Sequence, residues 1–368
     1  MTAQTNGLNA LMTHQSPTPT RIKDLARQIE VNCAISDANH AGAFSICGLA
    51  LRFRDLYKWT NGLDAWEEDD SGRLLDWIGL TEERWEKVAE SAYQPLSLNG
   101  APVDLFDTRT INEALIPGGY FYGAGLLGNL KPTFFLSPIE KRIRAAGYTV
   151  YLLGRELARD MMTLPATHQD NAVLVRTHSA RQVLWDEMAF LKKSGRPALE
   201  FALNRLGLTR TDPPRKRLER VLQAHIGTYI RHEIGELLDT TFDRRAWQEI
   251  VGTFVRTPVE LLARATKDLL ADTHPKGVLS HLIAQKEAPA LALYAALIDG
   301  FYKQVFPELQ QAFGKFMQTE NWTLLADAAR LGRRRAVTTA KELMALYHDS
   351  SDLKACQAQF EALAACLV

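Results

Sequence analysis

Thr209-Arg210-Thr211-Asp212-Pro213-Pro214-Arg215-Lys216 divides this chain into two textures. Two adjacent prolines stop a helix, since each lacks an amide hydrogen and crowds the turn before it, and the neighbours are polar. The stretch therefore reads as a linker. C-terminal to it, every segment has helical spacing. Thr257-Pro258-Val259-Glu260 supplies a cap, a proline at the first helical position and an acid at the third. Ala290 to Phe306 is strongly apolar, ends at Pro307 and reads as one core helix. N-terminal to the linker, Pro and Gly punctuate β-type runs: Tyr120-Phe121-Tyr122, Thr133 to Leu136, Tyr148 to Leu153 and Ala172 to Val175. A helix from Ser179 to Lys193 follows, with Ser179 as its cap. Earlier still, helical periods cover residues 21–41, 44–59 and 73–92, and the acidic run Glu67 to Asp70 reads as a solvated helix start.

The expected fold class is thus mainly α (α+β). A disordered tail over residues 1–20 precedes an α+β domain over 21–208 with a small sheet. The linker over 209–216 leads to a helical domain over 217–368.

Composition bounds the function. The 368 residues are 46% hydrophobic, enough for a large core without staples. Lys plus Arg equals Asp plus Glu, 43 each, so no basic excess favours general binding to nucleic acid. No run of about 18 apolar residues predicts a membrane span. Met1 to Thr20 lacks the charged start and apolar run of a signal peptide, which predicts a cytoplasmic protein. Cys33, Cys47, Cys356 and Cys366 form no C-x-x-C pair, so reduced, buried thiols are expected rather than a zinc ribbon.

The chemistry concentrates in Val221 to Thr240. His225, Tyr229, His232, Glu233 and Glu236 fall within about 100° of arc on a helix, together with apolar residues. If that face is buried, its charges must be paired or must bind a cation, because burying an isolated charge is costly. His232 and Glu236 are four apart, a spacing that lets one helix offer two ligands to one metal. The string His-Glu-Ile-Gly-Glu is also similar to the zinc-protease string His-Glu-x-x-His with its last ligand changed, although Gly235 inside a helix is odd. Asp37 and His40, three apart beside the apolar stripe of Ile29 and Cys33, repeat the acid-x-x-His spacing of di-iron helices. Asp268 and Asp272, four apart, edge another apolar face. Each of these groups has a plainer reading, as a satisfied core histidine, a local ion pair or a solvated edge. His274 and His281 flank Pro275 and Gly277 and read as surface residues. Gly154-Arg155-Glu156-Leu157-Ala158-Arg159-Asp160 reads as a helix start carrying an ion-pair network. No phosphate loop, dinucleotide fingerprint or nucleophile elbow is present.

Asn32-Cys33-x-Ile35-Ser36-Asp37-Ala38-x-His40-Ala41, Leu51-x-x-Arg54-x-x-Tyr57-x-Trp59, the Gly154 to Asp160 string and His232-Glu233-x-Gly235-Glu236 together resemble a family of uncharacterised bacterial proteins, a domain of unknown function. The resemblance spans about residue 30 to the C-terminus. It implies a bacterial cytoplasmic protein, supplies no reaction, and marks Asp37, His40, His232, Glu233 and Glu236 as motif positions, with similarity also around Asp268 and Asp272.

The leading expectation is a metal-binding helical protein, a non-haem iron or zinc enzyme. His40, His232 and Glu236 would ligate the ion, Asp37 with Asp268 or Asp272 would complete the shell, and Glu233 would act as general base. The two apolar stripes would then face each other and bring His40 within roughly 5 Å of His232 and Glu236. The rival expectation is a scaffold or regulatory protein whose buried His/Asp/Glu network is structural. The expected partner is an unknown small molecule or protein, with no general nucleic-acid binding and no membrane.

Overall fold

Ile22, Ile29 and Cys33 lie on the buried side of one helix, α1 (Pro19–His40). The computed structural model describes residues 19–127, 131–209, 211–298 and 300–349, with 357, 358 and 362. Of the expected tail, residues 1–18 lie outside the described residues, and Pro19 and Thr20 already belong to α1. The helices expected next are α2 (Ile46–Asn61) and α3 (Ser71–Val88). The acidic run does start α3, since the Asp70 carboxylate accepts from the amides of Gly72 and Arg73. A hairpin of β1 (Leu96–Leu98) and β2 (Ala101–Val103) and a short helix, α4 (Thr108–Leu115), complete this side.

The sheet occupies the expected region. Its order is β3 (Tyr120–Leu126), β4 (Pro132–Ala145), β5 (Tyr148–Leu153), β8 (Ala172–Arg176), β7 (Ala166–Gln169), with β6 (Ala158–Arg159) paired to β4. The long β4 pairs with β3 along its first half and, past an irregularity between Ile139 and Lys141, with β5 along its second. Only β5 and β8 run parallel among the described strands. α1 packs Ile22, Leu25, Ile29 and Cys33 onto Tyr122, Phe134 and Leu136 of β3 and β4.

Three local readings are corrected. Gly154 to Asp160 opens no helix. Leu157 donates its amide to the Leu136 carbonyl, so the stretch continues the sheet as β6. Glu156 is buried against Arg176, at 2.8 Å from Nε. Ser179 caps nothing, because the helix α5 (Thr177–Ala189) starts earlier and the buried Ser179 hydroxyl donates to Glu156 instead. Cys33 is buried as expected but Cys47 is exposed, and Cys356 and Cys366 lie outside the described residues.

After β8 the described residues contain helices and no strand. α6 (Arg196–Arg205) leads to α7 (Pro214–Leu238), α8 (Arg244–Thr253), α9 (Pro258–Asp272) and α10 (Val278–Gln285). α13 (Pro307–Thr319) and α14 (Trp322–Asp349) close the half. The single core helix expected over Ala290–Phe306 is two, α11 (Ala288–Leu297) and α12 (Gly300–Val305). Ile298 is extended and Gly300 takes a φ of +57°, a left-handed value that favours glycine. α7 joins the two halves. Ile230 and Ile234 pack on Val150, Val173 and Val175 of the sheet, while Leu218, Val221 and Leu222 enter the large helical core. No helix among the described residues is long and apolar enough to cross a membrane.

Candidate metal centre

Gly235 resolves its own oddity. A methyl group there would lie 2.2 Å from the Ala271 carbonyl oxygen, a backbone atom that cannot swing aside. Glycine therefore lets α7 and α9 meet backbone to backbone, and this contact sets His232 and Glu236 opposite Asp268 and Asp272. On its other flank α7 packs on β7, which brings His168 to Glu233.

Asp272 is the anchor. Its Oδ1 lies 2.8 Å from His232 Nδ1, and its Oδ2 accepts from the Tyr294 and Tyr302 hydroxyls at 2.7 and 2.6 Å. These tyrosines come from α11 and α12, so the break between those helices is what lets both reach one carboxylate. A carboxylate only accepts, so it holds a proton on Nδ1 and turns Nε2 toward the other two acids. His232 Nε2 faces Glu236 Oε1 at 3.9 Å and Asp268 Oδ1 at 4.0 Å. Alongside, His168 Nδ1 stands 2.8 Å from Glu233 Oε2 and 3.8 Å from Glu236 Oε2. Lys267 Nζ lies 3.3 Å from Glu236 Oε2. Two donor sets could each hold a metal ion, His168/Glu233/Glu236 and His232/Glu236/Asp268, with all donor atoms of a set within 4.8 Å.

The electrostatics follow from crowding. Burial resists a charge on His232, but the attraction and hydrogen bond of Asp272, with Glu236 and Asp268, raise it well above the usual imidazole range. Burial raises Glu236, and His232, Lys267 and His168 more than reverse this, holding it below the usual range. Burial pushes Asp268 up to about 7, as the downward pull of His232 is countered by Glu236 and Asp272. Its side chain stays 43% accessible, so solvent screens part of that push.

The group opens on a cavity of about 360 Å³, a size that suits a small molecule. Pro165, Ala166, Leu297 and Ile298 supply its apolar wall. His225 and Thr228, 4% and 5% exposed, also line it, and among the described residues His225 Nδ1 and Thr228 Oγ1 have no hydrogen-bond partner. Burial lowers His225 to about 4, which keeps its ring neutral.

The structure brings together His232, Glu233, Glu236, Asp268 and Asp272, and it gives Asp37 and His40 other partners. Asp37 Oδ1 is 3.0 Å from Lys131 Nζ, and its Oδ2 accepts from the Met161 amide at 2.9 Å. His40 Nδ1 lies 2.9 Å from the Ser36 carbonyl oxygen. The stripe of α1 is covered by the sheet rather than by α7, and neither residue belongs to either donor set. Asp272 stands behind His232 instead of beside it. His274 and His281 are half-buried and outside both sets. Sequence reasoning missed His168, because it sits on a strand edge where no helical spacing links it to a partner.

Residues 24–176 match the N-terminal domain, and residues 181–365 the C-terminal domain, of a family of unknown function, DUF6866. The two matches meet at the junction of β8 and α5. No match is found among curated proteins, and none among solved structures.

Proposed function

The chain belongs to the DUF6866 family of unknown function, and from its geometry we propose a metal-dependent enzyme acting on a small molecule, its ion held by His232, Glu236 and Asp268. One observation carries the reading: Asp272 orients the His232 ring so that Nε2 points at carboxylate oxygens of Glu236 and Asp268, and His232 and Asp268 line a cavity. A carboxylate behind a metal-binding histidine is the usual support for such a ligand. Mixed imidazole and carboxylate donors suit iron, manganese or zinc. Such an ion would act as a Lewis acid and make bound water more acidic. Glu233, which lines the cavity, would accept the proton, and the unpartnered His225 and Thr228 atoms would hydrogen-bond the substrate.

Elemental analysis of the purified protein, with calorimetric titration of the metal-free form, tests this. The expected result is near-stoichiometric transition metal, with affinity falling steeply in His232→Ala and Asp268→Asn. A second reading has support in Lys267 beside Glu236 and His168 beside Glu233, which give the acids partners from the chain itself. A scaffold or regulatory protein would need no more than that. Absence of metal from the native protein, and of binding by the metal-free form, would favour it.

A further inference from the structure

We propose that the centre is dinuclear, with Glu236 bridging two ions and the second ion held by His168, Glu233 and Glu236. This rests on the metal-site reading above and extends it.

The two oxygens of Glu236 face different imidazoles. Oε1 looks toward His232 Nε2 at 3.9 Å and Oε2 toward His168 Nδ1 at 3.8 Å. One carboxylate thus belongs to two donor sets, and each set contains one histidine and one further carboxylate of its own. Ions in two-metal sites stand roughly 3.5–4 Å apart, a separation that a carboxylate can span with one oxygen on each. The spacing along α7 follows the same logic. Glu233 and Glu236, three apart, both turn to His168, while His232 and Glu236, four apart, both turn to Asp268.

Charge admits the second ion. Four carboxyl groups, Glu233, Glu236, Asp268 and Asp272, meet one ammonium, that of Lys267. Four carboxylates and one ammonium sum to −3, so one divalent ion leaves −1 and two give +1, equally near neutrality. Lys267 is the present counter-charge at Glu236 Oε2, and its Nζ also lies 4.3 Å from the Trp247 ring centroid. The ammonium therefore stays housed when an ion takes the carboxylate oxygen. A second ion would also fasten the sheet edge to the helical half, because His168 comes from β7 and Glu233 and Glu236 from α7. It changes the part played by Glu233, which becomes a ligand rather than a proton acceptor.

The test counts ions in the full chain. Metal-free protein is titrated with Mn²⁺, the bound metal is measured by elemental analysis, and the spin coupling by electron paramagnetic resonance. The expected result is two ions per chain with a coupled signal, falling to one ion and an uncoupled signal in His168→Ala. Should that variant fail to fold, Glu233→Gln keeps the side-chain shape and is expected to weaken the second ion at least tenfold. One ion in the unaltered protein overturns the dinuclear proposal and leaves the single-ion reading standing. No bound ion overturns both. Two ions retained in both variants would show that the second ion lies elsewhere.

Discussion

Around Lys131, the buried carboxyls of Asp37 and Asp160 close on an ammonium supplied by the chain, at 3.0 and 4.0 Å. The three side chains are 2%, 3% and 1% exposed, and Ser36 Oγ accepts from the same ammonium at 2.8 Å. Around Glu236, carboxyls outnumber cations, His232 is 28% and Asp268 43% accessible, and a cavity adjoins. Both regions begin from the same local device, acids and a histidine at helical spacing beside an apolar stripe. They differ in who supplies the counter-charge. A cluster closed on a buried ammonium in a dry place fastens elements together. A cluster with more acids than cations, partly accessible and open to a cavity, has room for one under the proposed reading.

The comparison can be broken or sharpened in order of expected effect. Lys131→Met leaves two buried carboxyls without their cation and should cost about 3–5 kcal/mol of stability in urea unfolding. Glu236→Gln in the metal-free protein should cost far less, and equal losses would erase the distinction. Metal at a hundredfold excess over its Kd should stabilise the unaltered protein by about 2.7 kcal/mol and leave Glu236→Gln unchanged in thermal unfolding. Gly235→Ala forces a methyl against the Ala271 carbonyl and should cost about 1–3 kcal/mol. It should also weaken metal binding, by moving α7 off α9, and an unchanged affinity would mean that this contact does not set the site.

A gentler effect is expected from pH. His225 is lowered by burial to about 4 from an ordinary 6.5, so the unfolded chain binds its proton first. That contribution to stability is complete above about 6.5 and is lost as pH falls toward 4, at no more than about 1.4 kcal/mol per pH unit. Asp37, pushed up by burial to about 7, contributes with the opposite sign. The quantity to read is therefore the difference between the unaltered protein and His225→Phe across that range, and parallel curves would contradict the assignment. The smallest expected effect is none: balanced charge predicts no retardation of random duplex DNA at micromolar protein and physiological salt.

Helical periods and β-type runs were enough to place α1, α7, α9 and the strands β3, β4, β5 and β8, because each depends on neighbours a few residues away. The same local rule failed at Gly154 to Asp160, where pairing of Leu157 with Leu136 outweighed the helix-like text. It failed again at Ala290 to Phe306, where hydropathy alone does not register the turn at Ile298 and Gly300. In the candidate site, His232 with Glu236 and Asp268 with Asp272 were legible as pairs.

By itself the sequence determined which polar groups share a helix face, since that is set by about 3.6 residues per turn. Only the tertiary structure decided which of those faces already owns a cation. Lys131 reaches Ser36 and Asp37 from 95 and 94 residues away, and His168 reaches Glu233 from 65. Such encounters depend on how sheet and helices pack, as does the meeting of His232 with Asp268 and Asp272, which follows from the backbone approach of Gly235 to Ala271. Spacing along a chain carries no record of contacts at that range, which is why the two clusters looked alike until the fold separated them.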